Sequence, residues 1–320
     1  MFSSHTPRLV DFHNHYYETT WPRSSATQSS AGLARSWPLL TNIEAQLAAM
    51  DEAGITAKVL SAPAAPLLVP GHPLPLPLMQ RINDRFAELV AAYPDRLLAL
   101  ATIDAFQGES AAREVERAIQ ILGLGGICVD CAQGDHWLDE PQARPTLAVA
   151  AALGVPVFVH PVSPAGLTER LARLGNSGIL LARGTENTAS LLALLRSGIL
   201  DELPRLKIVL PMISAAIFLF AGMTGQEYRY SEEDWRGSPP SITRQRLYVD
   251  TIGLDPAMIR FAIELLGHEQ VLFGSDWPIT IMSLTSRRHI EQVLADLDLT
   301  EDQQTAVMGG NTLRLLASPP

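Results

Sequence analysis

The chain has 320 residues, of which 47% are hydrophobic and 18% are charged, so it is long enough to bury a large core in one barrel-sized domain. Its formal net charge of −10 argues against a nucleic-acid surface, which needs clustered Lys and Arg, and favours a small-molecule partner. We see no apolar run of the roughly 18 residues that a membrane span needs and no signal-peptide pattern. We therefore expect a cytoplasmic protein that binds neither nucleic acid nor membranes.

Short β-branched segments alternate with longer helical patterns along the whole chain, which is typical of parallel strands joined by crossover helices. The strand segments, in chain order, are RLVDFHNH, ITAKVLSAP, RLLALATID, GGICVDC, VPVFVHP, KIVLPMI, RLYVDTIG and QVLFGSDWP. Eight such units favour an α/β fold, a (β/α)₈ TIM barrel that forms one domain over residues 1–320. A doubly wound sheet is the alternative, but GxGxxG follows none of these segments.

Two segments depart from this repeat. Residues 16–40 follow the first strand and are rich in Ser, Thr, Ala and aromatic residues, and residues 225–245 follow the sixth strand and mix aromatic, charged and Pro residues. Long loops after barrel strands form the active-site face. We expect a lid insertion at 16–40, a second active-site loop at 225–245, and a C-terminal helical extension in TEDQQTAVMGGNTLRLLA, packed outside the barrel.

The ends of three predicted strands carry candidate metal ligands. His13 and His15 end the first strand, and side chains two residues apart on a strand point to the same side. The fifth strand ends in His160 and the eighth in Asp276, and strand ends converge at the mouth of a barrel. Three imidazoles and a carboxylate suit Zn²⁺ or a similar first-row ion, with room for a water or a substrate oxygen.

Aromatic residues crowd the segments beside these ligands. We assign Tyr16, Trp21 and Trp277 to the wall of the substrate site, because aromatic side chains suit flat, conjugated ligands. A substrate carboxylate also favours an arginine partner. The candidates, which the sequence does not rank, are the predicted loop residues Arg23, Arg35, Arg183, Arg229 and Arg236.

The ligand pattern resembles that of the amidohydrolase superfamily. Phrases such as NDRFAELVAAYPDRLLALATI, WLDEPQARPTLAVAAALGVPVFVHP and VLFGSDWP are similar to the branch that includes aminocarboxymuconate semialdehyde decarboxylase and the γ-resorcylate-type decarboxylases. The resemblance implies a (β/α)₈ barrel, one divalent metal and a homodimer. We expect Zn²⁺ first, with Mn²⁺ as the alternative.

The sixth strand departs from that branch. There, the resemblance implies a histidine that handles protons beside the metal, but here Pro211 and Met212 occupy its place. A thioether cannot transfer a proton at neutral pH, so we assign Met212 to the substrate wall. Asp276, as ligand and base, and Asp250, at the end of strand seven, are the candidate catalytic residues, and a purely structural Asp250 remains open.

These residues predict a metal-dependent enzyme. The leading prediction is non-oxidative decarboxylation of a small aromatic or cyclic unsaturated carboxylic acid, with the metal as Lewis acid. The alternative is metal-dependent hydrolysis of a lactone, amide, ester or activated C–C bond, which tolerates Met212 better. A barrel that binds a metal or ligand without catalysis is the third reading, and it explains the four matching ligands least well.

Overall fold

The computed structural model describes residues 8–25, 31–68, 72–214, 216–217, 244–279 and 287–317, and these contain a ring of eight parallel strands. The strands are β1 (Val10–His15), β2 (Ala57–Ser61), β3 (Leu97–Ala99, continued by Ala101–Thr102), β4 (Ile127–Asp130), β5 (Pro156–His160), β6 (Lys207–Leu210), β7 (Leu247–Asp250) and β8 (Val271–Leu272). A small antiparallel hairpin, Ala132–Gln133 with His136–Trp137, follows β4.

Each strand of the ring pairs with the strands before and after it in the chain. The ring closes between β8 and β1, where the Phe12 amide donates to the Phe273 carbonyl at 2.8 Å and Asn14 bridges Trp277 in parallel. The chain therefore forms the (β/α)₈ barrel that the sequence predicts.

Inward-facing residues of the strands fill the barrel as a separate apolar cluster. Its members from the strands and from the residue between the two β3 segments are Val10, Phe12, Ala57, Val59, Leu100, Cys128, Phe158, Val209 and Leu272. Leu315 and Leu316 of the C-terminal helix join this cluster, and Leu316 lies against Gly125 just before β4. The predicted C-terminal extension thus covers the amino-terminal end of the barrel, which leaves the opposite end as the mouth.

The helices lie around the ring and over its amino-terminal end. They are α1 (Ala31–Leu40), α2 (Ile43–Ala53), α3 (Leu76–Ala92), α4 (Glu109–Glu116), α5 (Arg144–Leu153), α6 (Leu167–Leu171), α7 (Asn176–Ser197), α8 (Ile199–Glu202), α9 (Pro256–Leu266), α10 (Arg287–Ala295), α11 (Glu301–Thr305) and α12 (Asn311–Leu316). Local signals set several ends: Asn42 caps α2, and Gly54 ends it with φ +71°. None of the helices in the described ranges is long and apolar enough to cross a membrane.

The two predicted active-site loops differ in what the structure describes. Within 16–40, Tyr17 stacks on Trp37 with ring centroids 5.2 Å apart, and both side chains are buried. This part of the segment is therefore packed on the body of the protein, and its role as a lid stays a prediction. Of the loop 225–245, residues 225–243 lie outside the described residues.

Candidate metal centre

The two histidines of β1 face the mouth because the strand contains a bulge. The register between β1 and β2 shifts between Asp11 and Asn14, and an extra residue in a strand turns its side chains. As a result, the neighbours Phe12 and His13 both contact Phe158, at centroid distances of 5.3 and 4.9 Å. The sequence-level alternation of strand faces does not predict this bulge.

His160 of β5 completes a compact group with the two β1 histidines. Its ring centroid lies 4.9 Å from that of His15 and 5.9 Å from that of His13, both edge to face. The three side chains are buried, and one ligand atom of each lies within 4.8 Å of the others. The structure therefore brings together the three imidazoles that the sequence predicts as metal ligands.

Hydrogen bonds on the far side of two rings leave the near nitrogens available. His13 Nδ1 lies 2.6 Å from Asp250 Oδ2, and His15 Nδ1 lies 3.0 Å from Ser61 Oγ. The Ser61 hydroxyl donates to the Asn14 carbonyl, so its oxygen accepts the proton on His15 Nδ1. This arrangement fixes the tautomer with a lone pair on Nε2, as in metal-binding histidines.

Two buried nitrogens of this group have no hydrogen-bond partner within the described residues, namely His13 Nε2 and His160 Nδ1. Buried polar atoms are normally satisfied, and an orphan points to a bound ion or another ligand. The donor set therefore fits a first-row divalent metal, which imidazole nitrogens bind well.

Asp276 brings a carboxylate to the histidines through an unusual backbone conformation. Its Oδ1 lies 3.2 Å from His15 Nε2 and 3.7 Å from His13 Nε2. Its φ is +56°, a left-handed value that Asp tolerates better than most residues. Its amide donates to the His13 carbonyl at 2.8 Å, which ties the residue after β8 directly to β1.

The charge states of the group suit metal binding. Burial lowers the pKa of His15, and it lowers the pKa of His160 well below its ordinary value, with help from the neighbouring positive charges. Burial also opposes the charged form of His13 and of Asp276, but their mutual attraction and Asp250 raise the pKa of His13, and the two β1 histidines lower that of Asp276. Neutral imidazoles and an ionised carboxylate are the forms that coordinate a metal. His15, His160 and Asp276 already favour these forms, whereas a bound cation would displace the proton that Asp250 favours on His13.

Gly274 and Ser275 hold this arrangement in place. A Cβ on Gly274 would lie 2.8 Å from Asp250 Cβ and 2.9 Å from His13 Cβ, so glycine is needed where the chain after β8 passes between β7 and β1. Ser275 donates from its amide and its hydroxyl to the carboxylate of Asp11, at 2.9 and 2.6 Å. Both residues stand next to Asp276 in GSDWP, but their partners Asp11 and His13 come from the first strand of the chain.

Trp277 does not point its ring into the histidine group. The ring is buried and lies under the ammonium of Lys58, 3.8 Å from Nζ to the centroid. Lys58 pairs with Asp11 between β1 and β2 and has inward-facing neighbours at Ala57 and Val59, so it lies on the outer face of the barrel. Burial lowers the pKa of Lys58 to about 8. The structure thus places Trp277 between the barrel and its outer layer.

The other predicted substrate residues are buried near the mouth. Tyr16 donates its hydroxyl to Glu18 Oε1 at 2.6 Å, and burial together with this bond raises its pKa to about 12. Trp21 packs edge to face on Tyr16, with centroids 6.4 Å apart. Met212 opens a short 3₁₀ turn after β6, and its side chain is buried. Their contact with a substrate stays a prediction.

Asp250 lies behind His13, with both carboxylate oxygens engaged. Oδ2 faces His13 Nδ1, while Oδ1 accepts from the amides of Met212 and Ile252 at 2.9 and 3.1 Å. The residue is fully buried. These contacts fit the role of a positioning residue that orients a metal ligand, and direct catalysis by Asp250 stays a prediction.

Asp250→Asn is expected to lower the affinity for Mn²⁺ by about 10- to 100-fold. The new amide either faces His13 Nδ1 with a second donor or forces the other tautomer, which places a proton on Nε2. Calorimetric titration of the metal-free protein with Mn²⁺ measures the effect. Asp95→Asn, at an exposed aspartate, controls for the lost charge, and an unchanged affinity in Asp250→Asn contradicts the positioning role.

Three imidazoles and one carboxylate at the mouth of a (β/α)₈ barrel define a barrel enzyme that depends on a metal. Residues 10–317 match the amidohydrolase family. The chain therefore belongs to the amidohydrolase family, which confirms the membership that the sequence predicts.

Two proteins that are similar to this chain are decarboxylases. The γ-resorcylate decarboxylase of Rhodococcus jostii is 30% identical over 266 residues, 75% of this chain and 78% of that protein. The 2-amino-3-carboxymuconate-6-semialdehyde decarboxylase of Dictyostelium discoideum is 25% identical over 248 residues, 77% and 68% of the two chains. Both belong to the decarboxylase branch that the sequence resembles.

A solved structure supports the fold and names a metal. The dihydroxybenzoic acid decarboxylase of Polaromonas superposes with a TM-score of 0.79 at 24% identity, over 97% of each chain, and it holds manganese and the inhibitor 2-nitroresorcinol. The likeness confirms the barrel. The expectation of zinc as the first choice finds no support in this relative, which holds manganese.

Proposed function

We propose that the protein is a metal-dependent decarboxylase that removes CO₂, without oxidation, from a small aromatic or cyclic unsaturated carboxylic acid. The observation that carries this proposal is the buried group of His13, His15 and His160 with the Asp276 carboxylate at the barrel mouth. The decarboxylase relatives supply the reaction class.

The four residues of this group would hold one divalent metal, and we place Mn²⁺ ahead of Zn²⁺. When bound, such an ion acts as a Lewis acid and a template for a substrate oxygen. The protein contributes the fixed tautomers of the two β1 histidines, through Asp250 and Ser61. It also contributes a buried setting in which charges act strongly.

Asp276 is the residue that moves the proton. Its pKa lies below the ordinary value because the charge on His13 and the contact with His15 outweigh the effect of burial, so it starts as a base. For a hydroxy acid, Asp276 accepts the hydroxyl proton of the bound substrate and delivers it to the ring carbon that bears the carboxylate. The bond from this carbon to the carboxylate then breaks, its electron pair stays with the ring, and CO₂ leaves. Solvent returns a proton to the hydroxyl oxygen of the product.

Met212 is the observation that makes hydrolysis the second candidate function. A thioether transfers no proton, so the chain lacks the strand-six histidine that the family resemblance implies. Hydrolysis of a lactone or ester needs one base to activate water, and Asp276 alone can serve as that base. Decarboxylation by the route above also uses Asp276 alone, and the decarboxylase relatives favour it.

The test is a direct comparison of the two reactions. Protein loaded with Mn²⁺ is expected to release CO₂ from 2,6-dihydroxybenzoate or another ortho-hydroxybenzoate, measured by a coupled CO₂ assay and by chromatography of the phenol formed. Removal of the metal with a chelator is expected to abolish the release, and added Mn²⁺ to restore it. Hydrolysis of lactones or aryl esters, without CO₂ release from any acid in the panel, contradicts the decarboxylase proposal and supports the second candidate.

The wall and the assembly complete the proposal. Tyr16, Trp21 and Met212 are proposed to line the substrate site, and the segment 16–40 to cover it, since its described aromatic residues are buried near β1. Trp277 stays outside this proposed wall, because its ring lies 3.8 Å from Lys58 Nζ. A homodimer and a cytoplasmic location stay predictions.

A further inference from the structure

Helix α7 is fastened to the mouth side of the barrel by three polar side chains. Asn187 donates to the Val159 carbonyl at 2.8 Å, next to the ligand His160. Ser190 donates to the carbonyl of Cys131, just past β4, at 2.7 Å. Thr188 donates to the Gly184 carbonyl of its own helix at 2.7 Å, and its hydroxyl also lies 3.3 Å from the Ser214 carbonyl, just past β6. The middle of α7 therefore lies across the carboxyl ends of three neighbouring strands.

Glycine allows α7 to come this close. A Cβ on Gly184 would lie 2.5 Å from the Ile213 carbonyl oxygen, a distance that only a glycine can accommodate. The backbone at 184 is thus pressed onto the segment that follows β6. The backbone position of the preceding residue, Arg183, is therefore set by this contact and by the hydrogen bond of Asn187.

The direction of α7 places its earlier turns toward the mouth. At the carboxyl end of the helical region, Arg246 beside the start of β7 donates to the Leu200 carbonyl, so this end lies at the amino-terminal end of the barrel. Arg183 precedes Asn187 by four residues and shares its face of the helix. It therefore lies about 6 Å closer to the mouth than Asn187, at the level of His160, and helical side chains tilt further in that direction.

The electrostatics agree with this placement. The positive charge of Arg183, together with the larger effect of burial, lowers the pKa of His15 and His160. Burial raises the pKa of Asp130 to about 7, and Arg183 opposes this shift as it opposes protonation of Asp276. Arg183 is half-buried, and within the described part of the chain no hydrogen bond or ion pair holds its guanidinium. Its donors are free to face a ligand.

We propose that Arg183 binds the carboxylate of the substrate and thereby selects anionic acids. The assignment rests on the proposed function for its substrate class. It adds to that function by selecting one arginine among the five candidates, and the evidence for this choice is the position of α7 on the barrel. A guanidinium offers a planar pair of donors that match a carboxylate, and here it stands beside a cationic metal group, so an acid that bears an ortho hydroxyl reaches both.

The test separates the carboxylate from the rest of the ligand. Binding of 2,6-dihydroxybenzoate and of resorcinol, which lacks the carboxylate, is measured by calorimetry on Mn²⁺-loaded parent, Arg183→Gln, Arg183→Lys and the control Arg113→Gln. Arg113 is exposed on α4 and its loss changes the net charge equally. We expect Arg183→Gln to lower the affinity for the acid by about 10- to 100-fold and the affinity for resorcinol by less than about twofold. Arg183→Lys is expected to bind the acid with intermediate affinity. The Mn²⁺ content is expected to stay unchanged in all variants.

Turnover gives a second readout. If CO₂ release is observed, Arg183→Gln is expected to raise KM by a similar factor with a much smaller change in kcat, because the contact forms before the reaction. If Arg183→Gln lowers the affinities for the acid and for resorcinol equally, or leaves the affinity for the acid unchanged, the assignment is overturned. A parent that binds the acid but releases no CO₂ overturns the proposed function instead, and the binding comparison still decides the role of Arg183. A parent that binds neither compound overturns both.

Discussion

His160→Ala is expected to remove the bound metal and to lower CO₂ release by at least about a thousandfold. His160 donates no hydrogen bond through its buried Nδ1 within the described residues, and burial keeps its pKa well below the ordinary value. A neutral imidazole with an unpaired buried nitrogen is suited to metal coordination. Removing a group that only supports a metal ligand typically costs about 10- to 100-fold in metal affinity, so the loss of a ligand itself is expected to cost more.

The measurement is Mn²⁺ content by elemental analysis after reloading and dialysis, alongside initial rates of CO₂ release. His136→Ala is the matched control, because His136 is 61% exposed on the hairpin after β4 and its loss is expected to change neither quantity. Thermal unfolding of the metal-free proteins tests whether the His160 variant still folds. A folded His160→Ala protein with full metal content and activity contradicts the metal centre.

Asp276→Asn is expected to lower kcat by about 10²- to 10⁴-fold while the protein still binds 2-nitroresorcinol. The amide has the size of the carboxylate and accepts the left-handed backbone at this position, where φ is +56°. It cannot, however, accept and deliver the proton that the ring carbon needs. The loss therefore falls on the chemical step and not on the binding of the inhibitor.

Single-turnover rates of CO₂ release and a titration with 2-nitroresorcinol check this pair of expectations. Asp135→Asn, at an exposed aspartate after β4, removes the same charge without touching the site and is expected to leave both values unchanged. Metal content must be measured in parallel, since Asp276 is also a proposed ligand. Full metal content with an undiminished rate in Asp276→Asn would assign proton transfer to another group.

The sequence predicts which side chains meet at the barrel mouth, because all of them stand at strand ends. In a barrel, every strand delivers its carboxyl end to one mouth, so locating His13, His15, His160 and Asp276 after apolar β-branched runs is enough to predict that they meet. The alternation rule also places the two β1 histidines on one side. The structure agrees with both expectations and with the barrel.

The side chains that hold these ligands are less predictable because their partners are distant in sequence. Asp11 and Ser275 are 264 residues apart, and their hydrogen bonds require the closed ring. Trp277 follows Asp276 directly, yet the left-handed backbone there turns its ring toward Lys58. Periodicity alone suggests a helix that starts after Arg183, whereas α7 begins at Asn176 and carries this arginine on a rigid element.

The seam between β8 and β1 links metal binding to the completion of folding. His13 and His15 come from the first strand of the ring, while Asp276 follows the last one and donates its amide to His13. A chain whose last strand has not yet docked therefore presents histidines but no assembled set of four ligands. Because an ion that binds only the native state shifts the equilibrium toward it, a bound metal would stabilise the contact of greatest sequence separation in the ring. The metal would thus hold the first and last strands of the barrel together in addition to its role in the reaction.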